Sequence, residues 1–404
     1  MAGTFRSLKT RNAQLFFFGL LVSNVGTWMQ FTASSFLIYR LTGKATDLGL
    51  NVMFQFLPIL LLGAWAGALA DRFNRRTLTL ITQSGLALQA LMLGILDLTG
   101  NVSLPGVYFL SLVLGIVNAF DNPARRGLVL ELVDTKDISN AMALNTATMT
   151  GSRIFGPALA ALLVKPLGTG WLFMLNGLSF TAILFAILAM DATKLHTAPP
   201  VPRGGKPVRE ALGFIRNSKS LLRIFIVFAI VSTFAFNYSV VLPKLADNRW
   251  GSEEAFGWLL AMVSVGSLAG SLLTAGRRTV TLQWFLLGGF VLGLGNIAVA
   301  WSPNLWVAFI AAVPLGAGGA AFVTAANSIG QMYSPPDMRG RLLAITAVAF
   351  LGSAPIGGPI TGWVGDHISI EWSLGYGGVI TLISVGVLAL LERVDRTPSP
   401  HENN

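Results

Sequence analysis

Apolar runs of about 20 residues, the length an α-helix needs to cross about 30 Å of hydrocarbon, alternate with short polar segments along almost the whole chain. The runs carry few charges, so each is predicted to be a transmembrane helix. The pattern predicts twelve spans, at residues 14–38, 48–70, 77–97, 104–124, 140–164, 171–190, 223–245, 255–275, 282–301, 305–332, 340–364 and 371–391. It therefore favours an all-α polytopic membrane protein.

The composition supports a membrane location. Hydrophobic residues make up 53% of the chain and charged residues 11%, against roughly 25% charged residues in soluble domains. The formal net charge of +10 suggests a nucleic-acid partner, but its distribution favours a topological role. Twenty-two Lys and Arg lie in the segments on the side of the termini, and five lie in the opposite loops. The positive-inside rule then predicts cytoplasmic termini and no nucleic-acid partner.

The turn between the second and third spans is the most charged short segment near a span. It runs from Asp71 to Arg76, where four of six residues are charged, and such a density marks a membrane surface. Asn74 suits a turn because Asn tolerates positive φ. Gly63 and Gly67 lie one helical turn apart on one face, which predicts close approach of a neighbouring helix.

Two repeats divide the chain into related halves. The glycine pair recurs at Gly266 and Gly270, and residues 277–282 repeat the pattern of residues 75–80. Spans five and eleven share a Gly-Pro pattern, at Gly156-Pro157 and at Gly358-Pro359. A parallel repeat of this kind is one plan of transporters, and it predicts two six-helix, pseudo-symmetric bundles. The predicted divisions are a first bundle at 1–191, a linker at 192–220, a second bundle at 221–396 and a disordered tail at 397–404.

The linker is rich in Pro, Gly and basic residues and is predicted to be cytoplasmic. Residues 208–216 can form a short amphipathic helix on the inner leaflet, with Arg209 and Arg216 facing lipid phosphates. A solvated tether is the alternative.

Twelve spans, a mid-chain loop and the turn Gly67-x-x-x-Asp71-Arg72-x-x-Arg75-Arg76 resemble the major facilitator superfamily over nearly the whole chain. Asn74 stands where that family usually has Gly. The resemblance implies that the turn latches the two halves, with Asp71 facing the positive N-terminus of a helix such as the eleventh span. Arg75 is expected to pair with Asp121. The predicted gating residues are Gly63, Gly67, Asp71, Arg72, Arg75, Arg76, Asp121 and Arg125. The alternative is a set of charges that only direct topology.

The Gly-Pro pair of the fifth span resembles the antiporter motif of exporters in that superfamily, although Ala160 and Ala161 replace the usual glycines. Proline removes a helical hydrogen bond, and flanking small residues allow close helix contact. The predicted helix-kink residues are Gly151, Gly156, Pro157, Gly358 and Pro359. Generic packing of small residues is the alternative.

Arg153 is the one charge near the middle of a predicted span. A charge at that depth is unfavourable, so Arg153 should face a cavity or a partner, with Asp121 the nearest candidate by topology. Asp121 is also the candidate protonation switch. The predicted cavity or substrate residues are Asn24, Trp28, Gln30, Asn145, Arg153, Asn237, Tyr238 and Asn327.

The run from Asp121 to Arg126 is similar to a bacterial branch with enterobactin-exporter-like and multidrug-exporter-like members. This resemblance implies a secondary active transporter in the bacterial inner membrane, a proton-coupled exporter of amphipathic drugs, siderophores or related small metabolites. The alternatives are a lysophospholipid or nutrient transporter of the same fold, and a non-transporting sensor or assembly factor. An enzyme is not expected, because no span carries a His-carboxylate or metal cluster. The expectation is a monomer in the lipid bilayer with no cofactor and no metal.

Overall fold

The computed structural model describes residues 6–70, 72–196, 207–252, 254–335 and 338–394. These residues form fourteen α-helices and three short 3₁₀ helices. The α-helices are α1 (Arg11–Thr42), α2 (Ala45–Ala70), α3 (Arg75–Leu98), α4 (Leu104–Glu131), α5 (Ile138–Leu188), α6 (Pro207–Asn217), α7 (Lys219–Ala235), α8 (Tyr238–Trp250), α9 (Ala255–Ala275), α10 (Leu282–Ala300), α11 (Leu305–Met332), α12 (Arg339–Leu351), α13 (Ala354–His367) and α14 (Ile370–Val394).

The described residues contain eleven helical stretches long and apolar enough to cross a bilayer. One of them, Thr135–Leu188, has 54 residues, about twice what a single crossing requires. Its helix α5 leaves helical geometry at Gly168, where φ is 78°, a backbone state that glycine adopts without a Cβ penalty. Dividing this stretch at Gly168 gives the twelve crossings that the sequence predicts.

Polar residues at the bilayer edges define where helices begin and end. Thr10 and Ser103 accept hydrogen bonds from backbone N–H groups in the first turns of α1 and α4, and Asn304 does so for α11. Gly43 closes α1 with φ 65°, and its N–H donates to the carbonyl of Tyr39 at 2.7 Å. These caps fix the short connections that make neighbouring helices antiparallel.

The helices form two bundles, α1–α5 and α7–α14, with α6 in the segment between them. We call the face that carries the start of α1 and the end of α14 the terminal face. The opposite face, which carries Gly43, is the distal face. The segment 208–216, for which the sequence left a helix and a tether open, is helical within α6. Residues 197–206 and the predicted tail at 397–404 lie outside the described residues.

Small residues bring helices together inside the second bundle. A Cβ on Gly266 or Gly270 of α9 would overlap the backbone of α11 at Val313 or Ala317. Close backbone approach of this kind is how helices associate where no water drives apolar surfaces together. In the same bundle, the rings of Phe285 and Phe322 stack at 4.3 Å between centroids.

Two crossings in the second bundle are broken rather than continuous. Phe236 and Asn237 separate α7 from α8, and Gly352 and Ser353 separate α12 from α13. The break in the eleventh crossing thus lies before the Gly358-Pro359 pair, which sits inside α13. Such breaks free backbone groups that need other partners in a membrane, and they mark positions that line cavities.

Candidate functional site

A cavity of about 200 Å³ lies between the two bundles. The first bundle contributes residues from α1 and α5, and the second contributes residues from α8, α9, α11 and α12. Its walls are aromatic and hydroxylated, lined by Trp28, Phe31, Phe236, Tyr238, Phe350, Thr150, Ser264, Ser267, Ser271 and Thr324. We call this space the central cavity.

Arg153 projects into the central cavity from the middle of the first crossing of α5. Its guanidinium carbon lies 4.9 Å from the ring centroid of Trp28, a cation–π contact. Its side chain is exposed in the structure and forms part of the lining of this cavity. The alternative partner, Asp121, is bound instead to Arg125.

A second cavity, of about 170 Å³, lies inside the first bundle. We call it the bundle cavity, and it shares Trp28 and Phe31 with the central cavity. Its amide side chains bond to one another: Asn176 Nδ2 donates to Gln30 Oε1 at 2.6 Å, and Gln30 Nε2 donates to Gln89 Oε1 at 2.9 Å. These hydrogen bonds pair amide groups whose burial without a partner would be unfavourable.

Asp121 is the single carboxylate among the described residues that line either cavity. It is 1% exposed, and its Oδ2 accepts from Arg125 Nε at 3.0 Å. Its Oδ1 accepts from Thr82 Oγ1 and Gln83 Nε2, both at 2.8 Å. The sequence placed Asp121 at the end of a span, but α4 continues to Glu131. Ten further helical residues put Asp121 about 15 Å along the helix axis from the terminal-face end of α4.

The predicted cavity residues divide into two groups. Asn24 and Gln30 line the bundle cavity, Arg153 and Tyr238 line the central cavity, and Trp28 lines both.

Asn145, Asn237 and Asn327 are absent from both linings. Asn237 donates instead to Thr361 Oγ1 at 2.9 Å, and Asn327 donates to the carbonyl of Val323 at 3.1 Å. These two side-chain amides therefore donate their hydrogen bonds to groups within the helix bundle, and neither lines a cavity.

Six amides that line the bundle cavity were not among the predicted site residues: Gln55, Gln83, Gln89, Asn118, Asn122 and Asn176. All six lie in segments that are otherwise largely apolar, so a polar residue type was visible in the sequence at each position. Helix rotation decides which intramembrane amides share a cavity, and a single span does not reveal that rotation.

The charged turn joins elements of the first bundle. Arg75 Nη1 donates to Glu131 Oε1 at 3.2 Å, so the expected contact of Arg75 with Asp121 is replaced by one at the end of α4. The deeper position of Asp121 explains the difference. Arg76 donates to the carbonyls of Ile187 and Leu188 at the end of α5.

Asn74 and Arg72 of the charged turn form no hydrogen bond or ion pair with the second bundle among the described residues. Asn74 has φ −60°, not a positive value, and its Oδ1 caps α3 by accepting from Thr77 N at 3.0 Å. Asn74 therefore fits this turn because its side chain caps α3, and not because Asn tolerates positive φ. Arg72 is exposed at the terminal face. Asp71 lies outside the described residues.

The two bundles are joined at the distal face. Asp366 of α13 accepts from the backbone N–H groups of Ala45 and Thr46, at 2.9 and 2.8 Å, at the start of α2. Lys244 Nζ lies 2.6 Å from the same carboxylate.

Two further polar contacts cross between the bundles at the distal face. Tyr39 Oη donates to Asp247 Oδ2 at 2.7 Å, and Lys165 pairs with Glu254 at 3.3 Å. Within the described ranges, no hydrogen bond or ion pair crosses between the bundles at the terminal face. Among the described residues, the polar contacts between the bundles are therefore confined to the distal face.

Glycines along α2 show the same asymmetry. A Cβ on Gly49, near the distal face, would overlap the backbone of Gly358 on α13. At Gly63 and Gly67, nearer the terminal face, a Cβ would meet no atom within 4 Å. The close approach predicted at Gly63 and Gly67 is thus absent in this conformation, whereas their counterparts Gly266 and Gly270 are tightly packed.

The predicted helix-kink residues serve mainly in packing here. A Cβ on Gly156 would overlap Trp28 and Met29 of α1, while Gly151 faces open space. Backbone angles in α5 stay helical through Pro157 and depart only at Gly168. Pro359 is likewise internal to α13.

Two helical bundles around a central cavity, with the polar contacts between their described residues all at one face, are the architecture of a membrane transporter of the major facilitator fold. The model of one family, described as transmembrane secretion effector, matches residues 2–402. The chain belongs to this family of major facilitator transporters.

Several proteins similar to this chain over most of its length are transporters, which supports this assignment. The Staphyloferrin A transporter of Staphylococcus aureus is 22% identical, covering 94% of this chain and 96% of its own length. The Multidrug efflux pump Tap of Mycolicibacterium fortuitum is 25% identical, with 87% and 90% covered. The Enterobactin exporter EntS of Shigella boydii is 25% identical, with 88% and 82% covered. These relatives are transporters rather than enzymes.

The fold is also that of solved transporters. A bacterial homologue of the human lysosomal transporter Spinster, in an inward-facing and unoccupied conformation, superposes with a TM-score of 0.74 at 15% identity. The match covers 97% of this chain and 99% of that structure.

Proposed function

We propose that this protein is a proton-coupled exporter that moves amphipathic small molecules across the bacterial inner membrane by alternating access. The observation that carries the proposal is the central cavity, which lies between two bundles bridged by polar contacts only at the distal face. A cavity exposed to one side at a time is what rocking of two bundles about a midplane site requires.

The topology gives the direction of this opening. Basic residues are concentrated in the segments of the terminal face, twenty-two against five, which supports a cytoplasmic terminal face. In this arrangement the distal face is extracytoplasmic, and the described conformation is open inward. Inward opening is the state in which an exporter loads cargo.

Asp121 is the group we assign to proton binding. Its carboxylate is buried in a cavity next to the central cavity, with Arg125 as its ionic partner. Protonation of Asp121 would remove the negative charge and leave Arg125 buried without a counter-charge, which is strongly unfavourable. A proton can therefore change which arrangement of the first bundle is stable. Trp28 and Phe31, shared by the two cavities, are placed to relay that change to the cargo site.

Export and cargo class rest on the relatives. One is named a multidrug efflux pump and another an enterobactin exporter, and both align over most of the chain. The aromatic and hydroxylated walls of the central cavity suit cargo with both apolar and polar parts.

Inverted membrane vesicles with an acidic interior test the proposal. The probes are 2-naphthoate, 2-naphthamide and 2-naphthylmethylammonium, which share one ring system and differ in charge. At least one probe should accumulate inside and release protons to a greater extent than in matched vesicles that lack the protein, detected as recovery of acridine orange fluorescence. A pH gradient that drives no accumulation of any probe would contradict proton-coupled export.

Asp121→Asn tests the proton site in the same vesicles. This variant should abolish the proton release evoked by the transported probe. Asp134→Asn is the matched control, because Asp134 is an exposed carboxylate at the terminal face. Full proton release by Asp121→Asn would move the proton site elsewhere without affecting the export proposal.

A further inference from the structure

We propose that the central cavity is an oxyanion site for amphipathic aromatic cargo, with Arg153 as the group that binds the anion. This inference deepens the proposed function, because it names the charge and chemical class of the cargo at that site. The candidate ligands are aromatic carboxylates and related molecules in which an oxyanion adjoins an aromatic ring.

The first argument is charge balance. Arg153 lies near the middle of its span, and no ion pair to it is present in the described part of the chain. Asp121, the one carboxylate among the described residues that line the two cavities, lines the other cavity and accepts hydrogen bonds from Arg125, Thr82 and Gln83. An arginine at membrane depth requires a cavity or a counter-charge, and here the protein supplies the cavity. The cargo is the remaining source of negative charge.

The second argument is geometric. Stacking against Trp28 engages one face of the Arg153 guanidinium. The N–H donors lie at the edges of that planar group, so a stacked arginine can still bind an oxyanion through two parallel hydrogen bonds. No hydrogen bond from Arg153 to any other described residue competes for those donors.

The third argument is a neighbouring donor without a partner. Tyr238 lines the same cavity, and its phenolic oxygen is buried with no hydrogen-bond partner among the described residues. It lies near enough to Arg153 for an electrostatic interaction. A buried hydroxyl left unsatisfied is unfavourable, so its position indicates a ligand that accepts a hydrogen bond. Arg153 and Tyr238 together form a two-residue oxyanion site.

The walls beside this site fit an aromatic ring. The rings of Trp28 and Phe31 meet edge to face at 5.4 Å, and those of Phe236 and Phe350 do so at 5.1 Å. The first pair comes from the first bundle and the second pair from the second bundle. A ring held between these pairs would contact both bundles, which is the position from which cargo can influence their relative tilt.

Equilibrium binding to the purified protein in lipid nanodiscs tests the inference, with heat measured by titration calorimetry. The probes are 2-naphthoate and the isosteric neutral 2-naphthamide. The wild type should bind 2-naphthoate at least tenfold more tightly than 2-naphthamide. Arg153→Gln should abolish this preference while changing 2-naphthamide affinity less than twofold. Tyr238→Phe should reduce the preference severalfold.

Arg277→Gln provides the matched control. Arg277 also stacks on a tryptophan, with its guanidinium carbon 3.5 Å from the ring centroid of Trp284, but it lies at the terminal face outside both cavities. This variant should keep the full preference. Arg153→Lys retains the charge and should keep part of the preference, which guards against a folding defect in Arg153→Gln.

Two results would overturn the inference: an unchanged anion preference in Arg153→Gln, or no preference for 2-naphthoate in the wild type. Binding at equilibrium needs no gradient. A failure of proton-coupled export would therefore leave this test intact, and a failure here would leave export of neutral or cationic cargo possible.

Discussion

The carboxylate of Asp366, near the end of α13, caps α2 by accepting from the backbone N–H of Ala45 at 2.9 Å. A carboxylate at a helix N-terminus is stabilised by unpaired N–H groups and by the helix dipole. The sequence resemblance implies a similar contact between the same two crossings at the opposite face, with Asp71 facing the eleventh span. Each of the two conformations would then be held by an acid on one helix facing the start of the other.

Asp366→Asn should favour opening of the distal face. Loss of the capping charge and of the Lys244 pair is expected to cost about 1 kcal/mol, or roughly a fivefold change in the ratio of the two conformations. The chain has no cysteine, so spin labels can be placed at single introduced cysteines. With labels at positions 44 and 367, double electron–electron resonance should show a larger population of long distances in Asp366→Asn than in the otherwise identical protein with Asp366.

Glu371→Gln is the matched control for that measurement. Glu371 is an acid at the same face, but it pairs with Arg249 inside the second bundle at 3.2 Å. Its substitution should leave the distance distribution unchanged. Equal effects of the two substitutions would show that Asp366 has no special part in holding the bundles together.

Gly67→Leu should fold normally and abolish transport. A side chain at Gly67 meets no atom within 4 Å in this conformation, but it would block a neighbouring helix from closing on α2 at the terminal face. Thermal unfolding should be close to that of the wild type, and probe flux in vesicles should fall to background.

Gly270→Leu provides the contrast, because Gly270 is the sequence counterpart of Gly67. A side chain there would overlap the backbone of Ala317, so this variant should unfold at a much lower temperature. Wild-type flux in Gly67→Leu would show that the space beside Gly67 is never closed during transport.

Arg125→Ala should be destabilising by about 3–5 kcal/mol, because it leaves the buried carboxylate of Asp121 without its ionic partner. The double variant Asp121→Asn with Arg125→Ala should recover much of that loss, since no unpaired charge remains. Thermal unfolding in detergent, followed by tryptophan fluorescence, measures both. A double variant less stable than Arg125→Ala would contradict the argument.

Arg249→Ala is the control for this measurement, because the ion pair of Arg249 with Glu371 is partly exposed. It should change the free energy of unfolding by at most about 1 kcal/mol.

Export of an anion in exchange for a proton should depend steeply on membrane potential. One proton entering and one monoanion leaving move two charges in the same electrical sense, about 4.6 kcal/mol per 100 mV. Proteoliposomes with a potassium diffusion potential should therefore show 2-naphthoate flux that rises with potential more steeply than 2-naphthamide flux. Potential-independent 2-naphthoate flux would exclude this stoichiometry.

The sequence by itself determined the class of this protein. Apolar run length fixes which segments cross a bilayer, and the repeated glycine and arginine patterns reveal two related halves. Both features are local or periodic; the spanning helices and the family match confirm the membrane-transporter class that they predict. The amide and charged residues inside spans were also visible, so a polar interior was predictable.

Only the tertiary structure decided which of these residues meet. Arg75 contacts Glu131 because α4 is longer than its apolar run, and Arg153 stacks on Trp28 because of how α1 and α5 are rotated. The way α2 lies against α13 decides that a Cβ on Gly49 would overlap Gly358 while a Cβ on Gly67 would meet open space. Helix rotation and tilt follow from the packing of many side chains from distant segments, and no single span contains that information.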